Sequence, residues 1–446
     1  MTALVLFRRD LRLSDNPAWA AATAAHDRVR ALFVLDPRLW ESAGPYRRPQ
    51  LAAHLRALDG QLQEHGGRLC VLHGAPEAVV GAQAASADAV YWNDDYTPYA
   101  RHRDAAVEDV LGVPVHRTHG SVAHPPGSVL TDSGRPYQVF TPFWKRWQST
   151  DWGHHPEEGS ATVVSTAGDG IPETPEPLMP GGEEHAHLRL AAFLDHADRY
   201  TDERDRPDLD TTSRLSADLK YGTLSPRRVV AETGDHSDGR AAFVRQICWR
   251  DFYAHVMYHF PHTATRAMRS EYDAISWSDD AEAFEAWRSG RTGYPIVDAG
   301  MRQLLAEGWM HNRVRMIAAS FLVKDLLVDW RLGERHFRRY LVDGDVAQNV
   351  GNWQWVAGTG ADAAPYFRIF NPVTQSARFD PNGDYIRRYV PELAGLAAPM
   401  VHAPWDHGPI ELAAAGVTLG ETYPYPIVDH AEARRETIAA YEQARG

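Results

Sequence analysis

Apolar residues recur with two different periods in the two halves of this chain. Up to about residue 118, short apolar runs at 3–7, 30–36, 68–74, 89–93 and 113–118 alternate with longer amphipathic stretches. Runs of strand length separated by helical patterns read as repeated βαβ units, hence as a doubly wound parallel sheet. Between them, residues 16–23 and 50–64 carry Ala and Leu at helical spacing, with Asp15 available as an N-cap before Pro17. No G-x-G-x-x-G follows the first strand, so a dinucleotide fingerprint is absent there.

After residue 188 the strand signals stop. Long amphipathic segments at 242–258, 281–289, 297–308, 312–330 and 334–341 predict an all-helical region. Between the two patterns, residues 149–184 are rich in Gly, Pro, Ser, Thr and Glu, as in ETPEPLMPGGEE, and read as a surface linker. The expected division is therefore an α/β domain over 1–130, an inter-domain linker over 131–187 and a helical domain over 188–446.

The 446 residues hold 46 Lys and Arg against 59 Asp and Glu, a net charge of −13 that argues against binding polyanions through global charge. Residues 287–340 reverse this locally, with ten basic and five acidic residues, and that stretch is a candidate phosphate-facing surface. Two cysteines, Cys70 and Cys248, without C-x-x-C spacing support neither a disulfide framework nor a thiolate zinc site. The apolar run at the N-terminus is too short for a signal segment or a membrane span. The expectation is a soluble, cytoplasmic protein without membrane attachment. Although His is abundant at 22, no H-E-x-x-H spacing or paired-carboxylate arrangement appears, so no metal is expected. The 14 Trp exceed ordinary packing needs and invite a stacking or redox role.

The chemistry-bearing motifs run from end to end. RRDLRLSDN at 8–16 places charges after the first strand, where open α/β sheets bind ligands. TSRLS follows at 212–216, WRDFY at 249–253, GYPIVDAGMRQL at 293–304, WMHNRVRM at 309–316, DGDVAQN at 343–349, WQW at 353–355 and FRIFNPVTQ at 367–375. In this order the segments closely resemble the DNA photolyase/cryptochrome family, and specifically its class I cyclobutane pyrimidine dimer photolyases.

The resemblance implies an N-terminal α/β antenna domain, a C-terminal helical domain holding FAD with its reduced anionic form active, and light-driven repair of UV-damaged DNA by a monomer. By motif, Tyr200, Thr212, Ser213, Arg214, Leu215 and Ser216 would contact the flavin. So would Trp249, Arg250, Arg315, Asp343 and Asp345, with Asn349 facing flavin N5. Gln246, Trp249, Asn312, Met316 and Trp355 would form the lesion pocket. Gln246 and Trp249 are spaced i,i+3 and Asn312 and Met316 i,i+4, so each pair shares a helix face, and apolar and aromatic walls suit two fused, extruded bases. Trp353, Trp330 and Trp277 match the family's electron relay. Arg204, Arg313 and Gln375 fall in segments that contact the damaged strand, where an Arg fork suits phosphate oxygens.

Three positions discriminate among relatives. Histidines that (6-4) photolyases carry at the places of Asn312 and Met316 are absent, which favours the cyclobutane substrate. Gln246 stands where class I enzymes usually have Glu, and an amide can hydrogen-bond pyrimidine edges but carries no charge or proton. The segment from Tyr91 to Arg101 resembles the 8-hydroxy-deazaflavin antenna type, with Asp95, Lys220 and Arg48 as its contacts. A methenyltetrahydrofolate antenna, or none, is the alternative. A signalling cryptochrome without repair and a (6-4) photolyase are the rival functions.

Overall fold

The computed structural model of the chain describes residues 1–153 and 157–445. Five parallel strands, β1 (Thr2–Phe7), β2 (Arg28–Leu35), β3 (Leu69–His73), β4 (Ala89–Asn93) and β5 (Val115–Thr118), lie in the order β3-β2-β1-β4-β5. Helices cover both faces, and so the strands read as continuous apolar runs rather than alternating ones. Along β1, Ala3, Val5 and Phe7 enter one core while Leu4 and Leu6 enter the other. The chain builds outward from β1 to β3 and then returns to the other side of β1 with β4. Ligands of doubly wound sheets bind at the carboxyl ends of strands at this reversal, and Arg8, Arg9, Asp94 and Asp95 follow β1 and β4 there.

The first helix, Pro17–Ala25, is capped by Asn16 and not by Asp15: Asn16 accepts from the Trp19 N–H at 3.2 Å. Proline at the first helical position requires the cap to be the residue just before it, and Asp15 instead turns the chain at φ 48°.

The stretch expected to be a surface linker is tied to the α/β core. It contains a helix, Phe140–Ser149, that buries Phe140, Phe143 and Trp147, and a two-residue strand, β6 (Thr162–Val163), which pairs with Arg28 and Val29 of β2. Backbone and side-chain hydrogen bonds pin it further, from Gly159 N–H to Thr23 Oγ1 at 3.0 Å and from Asp169 N–H to the Val71 carbonyl at 2.8 Å. Composition hid this because paired backbone groups need no apolar side chains.

At the end of that stretch Glu183 reaches back under the first βα loop. It accepts from the Leu13 N–H at 3.0 Å, from Gln61 Nε2 at 3.2 Å and from the Ser14 hydroxyl. Burial opposes its ionisation, but His187, Ser14 and these donors outweigh burial and pull its pKa from 4.5 to about 2. A depressed carboxyl pKa contributes stability above the unfolded value and loses it as pH falls through the folded one, here about 3 kcal/mol between pH 4.5 and 2. Glu183→Gln is therefore expected to lower stability at pH 7 and to flatten its fall with acid, as read from urea midpoints at pH 7 and pH 3.

By packing, the chain divides into two compact units. One comprises residues 1–201, 213–261 and 342–348, and the other 202–212, 262–341 and 349–446. These units and the three sequence segments are different divisions, since part of the helical sequence packs with the sheet.

The second unit is helical. Its Pro295–Glu307 helix ends at Gly308 in the left-handed region, φ 57°. Asp298, in the GYPIVDAGMRQL motif, is buried and accepts from Thr292 N–H and Oγ1, both at 2.7 Å, and from Tyr423 Oη at 2.6 Å, so this motif residue is a structural anchor. The single helix expected over 312–330 is broken. Asn312–Ser320 is α-helical, Phe321–Asp325 widens into a π turn, Leu327 sits at φ 50°, and a new helix, Trp330–Tyr340, starts where Asp329 accepts the Arg331 N–H at 2.9 Å. Apolar periodicity runs through the break and gives no sign of it, because the π turn buries Phe321, Leu322 and Val323 as a continuing helix could. Among the described residues no helix is long and apolar enough to cross a membrane, and both cysteines are buried and free.

Candidate functional site

In the sheet-bearing unit, the RRDLRL motif divides its labour. Arg12 is fully buried and donates to the carbonyls of Gly222 at 2.9 Å, Asp15 at 2.8 Å and Gly120 at 2.9 Å, fastening loops together. Arg8 pairs with Asp104 and donates to the Asn93 carbonyl. Arg9 faces two acids: Nη1 lies 3.3 Å from Asp95 Oδ1 and Nη2 pairs with Asp345 Oδ2, while Nε donates to the Lys220 carbonyl at 3.4 Å. Arg9, Asp95, Ser121, Arg250, Asp345 and Gln348 line a cavity of about 20 Å³, room for about one water molecule.

Burial disfavours the charges of both acids. Arg9 and Arg250 outweigh it at Asp345, and Arg9, Arg103 and Arg8 outweigh it at Asp95, so both carboxyls stay below the ordinary range. Lys220 lies with its Nζ 3.5 Å from the centre of the Tyr221 ring. Burial, joined by the nearby cations Arg47 and Arg9, pushes its amine well below the usual lysine value.

The expected antenna contacts thus fall into two groups. Arg9 meets the Asp95 carboxylate and the Lys220 backbone carbonyl, whereas Arg48 donates to the carbonyls of Trp40 and Glu41, both at 2.8 Å, with its guanidinium over the Trp40 ring.

Gln246 and Trp249 share the Asp238–His259 helix. Gln246 Nε2 donates to the Ala242 carbonyl one turn back at 3.2 Å. Trp249 stacks face to face on Phe140, with centroids 3.6 Å apart and planes 6° from parallel, and Phe252 and Tyr253 flank it. Sequence reasoning passed over Phe140, which sits in the presumed linker without any motif to mark it. Arg250 Nη2 donates to the Leu219 carbonyl at 2.8 Å, and Tyr200 packs edge-on against Phe193 and Phe243.

The 212–216 loop leads into the Ser216–Tyr221 helix. Arg214 adopts φ 50°, Ser213 Oγ accepts from the Leu215 N–H at 3.4 Å, and Thr212 Oγ1 is buried without a hydrogen-bond partner among the described residues. A buried orphan hydroxyl costs free energy unless something occupies its hydrogen-bonding capacity. The oxygen-rich, charged end of FAD supplies such acceptors, so these residues fit that group.

In the helical unit, Asn312 Nδ2 lies 3.8 Å from Met316 Sδ, which places the i,i+4 pair on one face as its spacing requires. Arg315 donates to the Met310 carbonyl at 2.7 Å. Arg313 and Arg204 converge on Asp205: Arg313 Nη2 approaches it at 2.8 Å and stacks over Phe379, while Arg204 lies at 4.0 Å. Gln375 is half-buried on the Pro372–Phe379 helix.

Asn349, Trp353 and Trp355 lie on the Val346–Ala357 helix. Asn349 Nδ2 donates to the backbone and side-chain oxygens of Glu334, at 2.9 and 3.0 Å, so its amide plane is fixed by a buried acid that no motif indicated. Trp353 is buried beside Trp287 and Phe337. Its ring lies against Gly333, where an added Cβ would come within 2.2 Å of it, so only glycine admits the ring to the helix that Trp330 begins. Trp277 is half-buried and meets Tyr441 edge-on at 6.2 Å. Asp343 is buried in the sheet-bearing unit with Asp345.

Comparison with known proteins gives the family. Residues 3–160 match a family model described as DNA photolyase, and residues 243–443 one described as the FAD binding domain of DNA photolyase. The chain is 43% identical to the deoxyribodipyrimidine photo-lyase of Halobacterium salinarum, with 98% of each chain covered. It matches the crystal structure of a class III photolyase from Agrobacterium tumefaciens with a TM-score of 0.93 at 40% identity, over 99% of this chain and 97% of that one. An archaeal photolyase from Sulfolobus tokodaii, solved with two FAD molecules, matches with a TM-score of 0.88 at 35% identity, over 99% of this chain and 100% of that one. The chain belongs to the DNA photolyase family.

Proposed function

We propose that the protein is a light-dependent lyase that reverses cyclobutane pyrimidine dimers in DNA and acts as a monomer. The observation that carries the substrate choice is the Asn312 and Met316 pair, one turn apart with Nδ2 against Sδ, neither able to transfer a proton. A proton-inert wall suits a lesion whose repair needs only two carbon–carbon bonds to break.

When bound, FAD in its reduced anionic state supplies under blue light the electron that opens the cyclobutane ring, and it regains that electron when the bonds have broken. The protein's part is to bind, orient and exclude water. Trp249, held flat by Phe140, offers a stacking face for the extruded bases, Trp355 and Met316 offer further apolar wall, and Gln246 offers an amide to pyrimidine carbonyl and N–H edges. The neutral amide of Asn349, locked by Glu334, meets the flavin without imposing charge, and Arg250, Arg315, Asp343, Asp345, Tyr200 and the 212–216 loop hold the rest of it. Trp353, Trp330 and Trp277 restore the reduced state by passing electrons inward from the surface. Arg204, Arg313 and Gln375 hold the damaged strand.

Motifs alone carry the assignment to class I, since the Agrobacterium structure is of a class III photolyase. For the antenna we assign an 8-hydroxy-deazaflavin to Asp95, Lys220 and Arg48. The Sulfolobus structure, whose two FAD molecules imply a novel light-harvesting cofactor in that protein, makes a second flavin the outcome to compare when chromophores are extracted from purified protein and their absorption recorded.

The deciding experiment is repair of a thymine cyclobutane dimer in an oligonucleotide by reduced, FAD-loaded protein under blue light, with a dark control and a (6-4) substrate alongside. Light-dependent loss of the cyclobutane lesion alone is expected. Repair of the (6-4) lesion would overturn the argument from Asn312 and Met316. Absence of repair despite bound, reducible FAD would make the protein a signalling flavoprotein. In the same assay Gln246→Glu is expected to raise repair per photon or leave it unchanged, because a carboxyl keeps a hydrogen-bonding partner for the pyrimidine edge and adds a charge or proton that the amide lacks; a fall in yield would show that the amide is the preferred partner.

A further inference from the structure

Arg9 connects two acids that the functional reading assigns to different chromophores. Its guanidinium spans Asp95, after β4, and Asp345, at the start of the Val346–Ala357 helix, two residues buried close enough for their charges to oppose each other. Asp345 divides its oxygens: Oδ2 takes the Arg9 fork, while Oδ1 accepts from the Gln348 N–H at 3.1 Å. The latter bond makes Asp345 the N-cap of the helix, satisfying one of the amides that every helix start leaves unpaired. Gln348, whose place in an Asp-x-x-Gln sequence would let it close a capping box, donates its side-chain amide to the Arg250 carbonyl at 2.9 Å instead. The carboxylate of the cap takes its charge balance from Arg9, which pairs with it directly, and from Arg250 nearby. Asn349, Trp353 and Trp355 follow that cap on the same helix.

We propose that Arg9 is a positioning residue for the flavin site: by holding Asp345 between Asp95 and the first turn of the Val346–Ala357 helix, it fixes the register from which Asn349 is presented. This rests on the reading of Asp345 and Asn349 as flavin residues. Arg9 also makes the acid on the antenna side a participant in flavin binding, since one fork bridges both carboxylates. Deleting the cation leaves the two carboxylates facing each other without the group that bridges them, with only Arg250 near Asp345 and Arg103 and Arg8 near Asp95 as remaining counter-charges. An Arg-to-Lys change keeps the charge but not the fork that serves two acids at once.

The test uses the full-length chain, prepared without flavin, and adds FAD as the probe. Arg9→Met is expected to weaken FAD binding about 10-fold or more and to accelerate hydrogen exchange selectively at the amides of residues 346–349. Arg9→Lys should show a smaller effect of the same kind. Combining Arg9→Met with Asp95→Asn removes the opposing charge and should restore most of the lost affinity, and it also provides a readable protein if the single variant folds poorly. Unchanged FAD affinity in Arg9→Met would overturn the proposal. So would a uniform rise in exchange throughout the chain, or a double variant that binds FAD no better than the single one. If the wild-type chain takes up no FAD, the functional reading fails; the exchange measurement then still decides whether Arg9 holds the helix start.

Discussion

Trp353→Phe is expected to abolish light-driven reduction of the oxidised flavin while leaving repair by chemically reduced protein intact. Trp353 is buried, with its ring packed on Gly333 and edge-on to Trp287 and Phe337. Phenylalanine keeps an aromatic ring in that slot, so the change should cost only about 1–2 kcal/mol of stability. What it removes is the readily oxidised indole that the proposed relay sets between Trp330 and the flavin. Photoreduction is followed by the loss of oxidised-flavin absorbance under blue light with an external reductant, and repair is measured after dithionite reduction. Photoreduction at the wild-type rate would show that electrons enter by another route.

Trp249→Ala should have an effect of comparable size on lesion recognition. The indole is held against Phe140 at 3.6 Å and flanked by Phe252 and Tyr253, so neighbouring rings set its plane. Stacking of a base on an aromatic side chain is worth about 1–3 kcal/mol, which predicts a 10- to 100-fold loss of affinity for a dimer-containing oligonucleotide, to order of magnitude. Affinity for undamaged DNA should fall much less, because backbone contacts such as those assigned to Arg204 and Arg313 do not read the lesion. Fluorescence anisotropy titrations with both oligonucleotides measure the ratio. An equal loss for both would mean that Trp249 supports the fold and not the lesion. Phe140→Leu, which removes the platform but leaves the indole, should lie between wild type and Trp249→Ala.

Much of this was legible along the chain. The change from strand-length apolar runs to helical periodicity marked a parallel sheet followed by helices, because side-chain period is a local property that burial imposes on every element. The i,i+4 spacing of Asn312 and Met316 is enough to put them on one face, and the ordered motifs from RRDLRL to FRIFNPVTQ indicate the family. Misreadings arose where neighbouring residues carried no mark of what they would meet. Periodicity ran straight through the break at Leu327, and a Gly- and Pro-rich composition concealed a belt tied to the sheet by backbone hydrogen bonds.

Tertiary structure alone decided which residues hold the functional ones in place. Arg9 and Asp345 are 336 positions apart, Glu334 locks Asn349 from the preceding helix, Phe140 lies under Trp249, and Gly333 yields its space to Trp353. Sequence determines the chemical types and the face of an element on which they fall, since both follow from local geometry. Which acid a guanidinium meets, or which ring lies under another, depends on how distant elements pack, and no local period encodes it.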